Sequence, residues 1–184
     1  MMDRVKVFCQ RLFVDGLLGA LIGFCATAVL GALLSKLGII MGGAAGGYIL
    51  VIGRMLQAMI GAGIGSCMAY RLDDTMAAPA AGACAGMLGA YGSAITAKTV
   101  LSNGVIHLAV LNQSLLAQFV GAFIAVFIGI EVANLFSNGS RSSEAVIPAV
   151  VILVGGFVGI FMGPAMAALL GGFGGRLFQM FQAF

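Results

Sequence analysis

The chain has 184 residues, 61% of them hydrophobic and only 8% charged, with a net charge of +3 and a mean hydropathy of +1.14. A water-facing domain carries about 25% charged residues, so this composition excludes a soluble globule and places the chain in a lipid bilayer. The nine basic residues are scattered singly rather than gathered into a stripe or arm, so there is no footprint for nucleic acid.

The N-terminal stretch MMDRVKVFCQRLFVDGLLGALIGFCATA carries the basic flank of a signal peptide. Its apolar run is too long for a signal-peptide core and more runs follow, so it reads as a retained first span over residues 13–34. Further continuous apolar runs predict spans over 47–70, 76–97, 115–136 and 145–170. Each is long enough to cross the hydrocarbon as a tilted helix, and none alternates as a barrel strand does. The expectation is an all-α, polytopic transmembrane helical bundle: one membrane domain, 1–184, with five spans.

Between the spans, Arg71 to Thr75 and Ser137 to Glu144 read as polar turns, the second holding Asn138-Gly139-Ser140. Residues 99–112 (TVLSNGVIHLAVLN) are too apolar for a free loop and too short to cross, which predicts a re-entrant or interfacial piece. Pro79 opens the third span as a helix-starting residue. Pro148 and Pro164 lie inside the fifth, where each frees a carbonyl, and Gly163-Pro164 predicts a break. The tail, with Phe173, Leu177, Phe178 and Phe181 around Arg176, reads as an interfacial helix.

Basic residues set the orientation. Arg4, Lys6, Arg11, Arg71 and Arg141 fall on one side, against Lys36, Lys98 and Arg176 on the other, which predicts a cytoplasmic N-terminus. Glycine, at 29 residues, recurs four apart at Gly19/Gly23, Gly61/Gly65, Gly82/Gly86 and Gly155/Gly159/Gly163. That spacing bares a helix face for close backbone packing. Cys9, Cys25, Cys67 and Cys84 are dispersed and act as small hydrophobes, with neither a disulfide framework nor a zinc pattern.

Few residues can carry chemistry. Glu131 is the only acid in the run LLAQFVGAFIAVFIGIEVANLF. It either faces the protein interior or a watery cavity, or reaches the interface from the last turns of its span. Arg54 and Gln57 lie three apart in the second span. They either line a polar pathway or, for Arg54, snorkel to headgroups. Arg54 is also a candidate ion-pair partner for Glu131. His107, Asn103, Asn112 and Gln113 gather in and after the short apolar segment, a setting suited to a small polar solute. No Ser/His/Asp arrangement, metal-ligand cluster or cofactor motif is present, so catalysis by the chain alone is not expected.

Three blocks of the sequence resemble a known family: GLLGALIGFCATAVLGALLSKLG, IGRMLQAMIGAGIGSCMAYRL, and VGAFIAVFIGIEVANLFSNGSRSSEAVIPAVVILVGGFVGIFMGPAMAALL. They look like consecutive parts of the type-2 EIIC-like membrane proteins of the phosphotransferase-system sugar transporters, which include proteins labelled perfringolysin O regulator-like. Gly121, Ala122, Phe123, Gly129, Glu131, Val132, Pro148, Gly155, Gly156, Gly163 and Pro164 follow the family's order. Where the family carries a Gly-acidic-Pro turn, this chain reads Leu116-Ala117-Gln118.

The resemblance implies a bacterial inner-membrane sugar permease component whose phosphate is handled by separate cytoplasmic subunits. Family members have two five-helix halves, and the likeness here is to the first. It therefore implies one half of an inverted-repeat transporter, paired with a second copy or a second five-helix half. Glu131, Gln57, His107, Asn112 and Arg54 are the candidate substrate-binding residues. Two other readings stand: a membrane regulator or sensor without transport, and the front half of a split transporter.

Overall fold

A computed structural model describes the backbone at residues 8, 10–73, 75–99, 101–102, 105–106, 115–136 and 143–182. The fold is all-α, a helical membrane-type bundle. Its elements are α1 (Arg11–Met41), α2 (Gly43–Ala58), α3 (Ile60–Leu72), α4 (Ala78–Ala90), α5 (Gly92–Thr96), α6 (Leu115–Phe136) and α7 (143–182). Leu101–Ser102 and Val105–Ile106 pair antiparallel as a minimal hairpin, β1 and β2. This hairpin is what the described residues show of the expected re-entrant piece.

Three helical stretches, Arg11–Met41, Leu115–Phe136 and Val146–Gly172, are long and apolar enough to cross a membrane singly. The bent pair α2–α3 makes a fourth if counted as one span, and α4 is shorter than a span. Pro79 sits in the first turn of α4, where its missing N–H costs nothing.

The core is built from α3, α4 and α6, with the first half of α1 and the middle of α7 packed around them. Ile60, Ile64, Met68, Val126, Ile130 and Val151 are its largest fully buried side chains. Between them the helices touch backbone to backbone. Gly61 and Gly65 of α3 face Gly86 and Gly82 of α4, and a Cβ at Gly65 would fall inside the contact shell of the Gly82 carbonyl. Gly89 of α4 meets Gly121 of α6 in the same way. The four-residue spacing in the sequence is thus the seam of an antiparallel bundle.

α1 runs past the expected end of its span at Leu34 and on to Met41. Its 31 residues reach about 46 Å, against about 30 Å of hydrocarbon. The chain reverses at Gly42 and Gly43, at φ 60° and 62°, a left-handed pair that side chains resist. α2 then packs back along the second half of α1, Gly31 and Gly38 facing Gly53 and Gly46. A π-wound turn at Cys25–Val29 marks where α1 leaves α3 and begins this two-helix arm.

The expected break at Gly163-Pro164 is not made. Gly156–Gln182 is continuous through Pro164, because the missing Pro N–H costs one bond while the flanking glycine seam keeps the helix packed. The irregularity in α7 is a π-wound turn at Val151–Gly155, just after Pro148. The tail continues α7 as far as Gln182 rather than starting a separate helix.

Candidate functional site

α6 presents a row at four-residue spacing: Phe119, Phe123, Phe127 and then Glu131. The first three rings lie nearly parallel, at centroid distances of 6.3 and 6.2 Å. Phe24 meets Phe119 edge-on at 5.7 Å and Phe8 meets Phe127 at 5.4 Å, so the row fills the α1–α6 seam with aromatic surface. Spacing of four puts all these side chains on one helix face.

At the end of that row, Arg11 Nη1 lies 3.3 Å from Glu131 Oε1, the two side chains being 32% and 26% exposed. Arg11 Nη2 also donates to the Leu72 carbonyl at 2.9 Å. One guanidinium thus joins the start of α1, the end of α3 and the last turns of α6. A helix C-terminus is a good place for a cation, since its last carbonyls are otherwise unpaired. Glu131 Oε1 is itself buried, and the ion pair is not aligned as a hydrogen bond. The carboxylate is charge-compensated yet keeps acceptor capacity.

The anticipated partnership of Glu131 with Arg54 is not found. Arg54 is exposed on the arm, one residue from Gly53, whereas Glu131 stands at the opposite end, level with Leu72. Both lie inside apolar runs, but those runs place them at opposite ends of the bundle. Gln57 is half-buried against Gly31 of α1, so it and Arg54 diverge despite their spacing. Asn103, His107, Asn112 and Gln113 lie outside the described residues.

A second feature lies toward the middle of the bundle, where helices are interrupted. α2 and α3 bend by 53° at Met59. α4 and α5 separate at Tyr91 (φ −102°, ψ 14°). The Tyr91 hydroxyl donates to the Ala58 carbonyl, so the ring on one break satisfies the backbone of the other. Gly92 lies against Ile160, whose carbonyl Pro164 leaves without its helical donor. Two helix breaks and a carbonyl freed by a proline therefore converge, and non-helical backbone at depth is stable only where protein or a wet cavity satisfies it.

Sequence reasoning missed three participants. Arg11 entered only as a charge that sets orientation, although the row 119-123-127-131 marks the α6 face it meets. Tyr91 carried no motif. Gln118 was noted only as a departure from a family pattern, but it is buried to 2% exposure within α6. Its place next to Phe119 on a helix buried on several sides was the available signal. Among the described residues no group of three metal-ligating side chains forms.

These features define a polytopic helical membrane protein with interrupted helices and a charge-compensated acid. Over residues 15–182 the sequence matches the family described as Phosphotransferase system, EIIC, and the chain belongs to it. That family supplies sugar-permease components. No curated protein and no solved structure matches the chain.

Proposed function

We propose that this chain binds and moves a sugar as the membrane component of a bacterial phosphotransferase system. It sits in the inner membrane, and separate cytoplasmic subunits carry the phosphate and meet the copy whose N-terminus lies in the cytoplasm. Two five-helix halves, two copies or one copy and a second half, assemble into the working unit and exchange access around a site between them. Glu131 and Gln57 are the polar groups offered to the solute by the helices, and His107 and Asn112 those offered by the segment before α6. Arg54 acts from the other end of the bundle and not as the partner of Glu131.

The observation that carries this reading is the buried Glu131 oxygen without a hydrogen bond, held beside an arginine in a member of a sugar-permease family. A carboxylate with spare acceptor capacity suits sugar hydroxyls. The test is equilibrium binding of a panel of radiolabelled hexoses to purified protein in nanodiscs. Glu131→Gln and His107→Ala are each expected to weaken binding about tenfold, a loss of about 1.4 kcal/mol. Unchanged binding in both variants removes the site, and no binding of any hexose by the native chain removes the sugar.

A further inference from the structure

The outward face of α1 is apolar along its length, with Val14, Leu18, Ile22, Cys25, Val29, Leu33 and Ile40 all exposed. The opposite face is buried through Gly16, Gly19, Ala20, Gly23, Ala28 and Gly31. Asp15, half-buried, stands at the edge of one end of the outward face, and Lys36, exposed, lies near the other end. Neither makes an ion pair among the described residues, where Arg11–Glu131 is the pair found. The sequence has no acid between Gly16 and Leu72 that could meet Lys36 or Arg54 locally. Asp15 and Lys36 are 21 residues apart, about 31 Å along a helix, which matches the hydrocarbon thickness.

Lipid alone does not settle this surface. If the bilayer ends at Lys36, the exposed apolar arm tip, with Ile40 78% exposed, leaves the hydrocarbon. If the bilayer covers the tip, Lys36 and Arg54 lie inside it without a carboxylate. A surface negative at one end, positive at the other and apolar between is self-complementary in one arrangement, an inverted copy of itself.

We infer that α1 docks against α1 of a second, inverted copy, with Asp15 of each copy meeting Lys36 of the other. This deepens the two-copy form of the function proposed above and rests on it. The two-fold axis then passes at Cys25 and Ala26, midway between the charges, where small exposed side chains let the helices approach. A parallel pair would set lysine on lysine and aspartate on aspartate. Inverted insertion is compatible with the charges, because adding Arg54 to Lys36, Lys98 and Arg176 leaves five basic residues at one end against four at the other.

The test is crosslinking in native membranes, with Cys9, Cys25, Cys67 and Cys84 replaced by alanine. Two differently tagged copies carry Leu18→Cys and Leu33→Cys. The 18–33 product is expected in roughly tenfold excess over 18–18 and 33–33. Asp15→Lys and Lys36→Glu should each cut its yield about tenfold, and the double variant should restore it. Products 18–18 and 33–33 in excess, or no restoration by the charge exchange, overturn the inference. Photobleaching counts in the same membranes separate the remaining cases. A dimer without the 18–33 product overturns this face and leaves two-copy assembly standing, whereas monomers overturn both. The 18–33 product with no sugar binding upholds the face and overturns the sugar.

Discussion

The seam between α3 and α4 and the arm formed by α1 and α2 are both lined by glycine, yet they serve different ends. In the seam, Gly61, Gly65, Gly82 and Gly86 are enclosed, and their neighbours Ile60, Ile64, Met68, Ala81 and Ala85 are buried. In the arm, Gly31, Gly38, Gly46 and Gly53 bring only two helices together, while Leu33, Leu37, Ile39, Ile40, Tyr48 and Val51 point outward. The same small-residue spacing therefore closes a core in one place and builds a slim two-helix projection in the other. What differs is how many neighbours each helix has. A helix enclosed on several sides has no room to yield, and one with a single neighbour does.

That contrast can be broken from the inside first. Gly65→Val forces a branched side chain into the Gly82 carbonyl and should cost about 3 kcal/mol, read as loss of the folded, detergent-soluble species on thermal unfolding. The bond that ties the two helix breaks is next. Tyr91→Phe removes the donor to the Ala58 carbonyl and should cost about 1–1.5 kcal/mol, with faster hydrogen exchange at Met59 through Gly63 as its local sign.

Glu131→Gln tests the bundle's open end. With both partners about a quarter to a third exposed, the loss should be about 1 kcal/mol, and Arg11→Gln should match it. The double variant should cost less than the sum of the two, because they share one pair. The smallest effect belongs to the arm. Gly47 has open space around its α-carbon, so Gly47→Ala should be neutral or stabilise by about 0.5–1 kcal/mol through helix propensity. A loss of stability there would show that the arm is as enclosed as the seam.

Much of this contrast was legible in residue order. The apolar run over Leu115–Phe136 coincides with α6, Pro79 lies in the first turn of α4, and the glycine repeats lie on the packing faces. Those features depend on local composition and period, which a sequence carries directly. The arm was not legible. Ser35, Lys36 and the glycines at Gly42, Gly43 and Gly46 fall between the expected spans 13–34 and 47–70, but the helix continues to Met41 because Gly31, Gly38, Gly46 and Gly53 give it a partner. The site was divided in the same way. Glu131 stood out as a lone acid in an apolar run, whereas its partner did not.

By itself, the sequence determined that this chain lives in a bilayer, that it is helical, and which faces of its helices pack closely. Apolar length, helical period and glycine spacing decide those things within one segment. Only the tertiary structure decided that Arg11 and not Arg54 compensates Glu131, that Tyr91 bridges two helix breaks, and that α1 carries an arm beyond the core. The first two depend on which segments become neighbours across 30 or more residues and the third on α2 folding back along α1, and none of these is set within one segment.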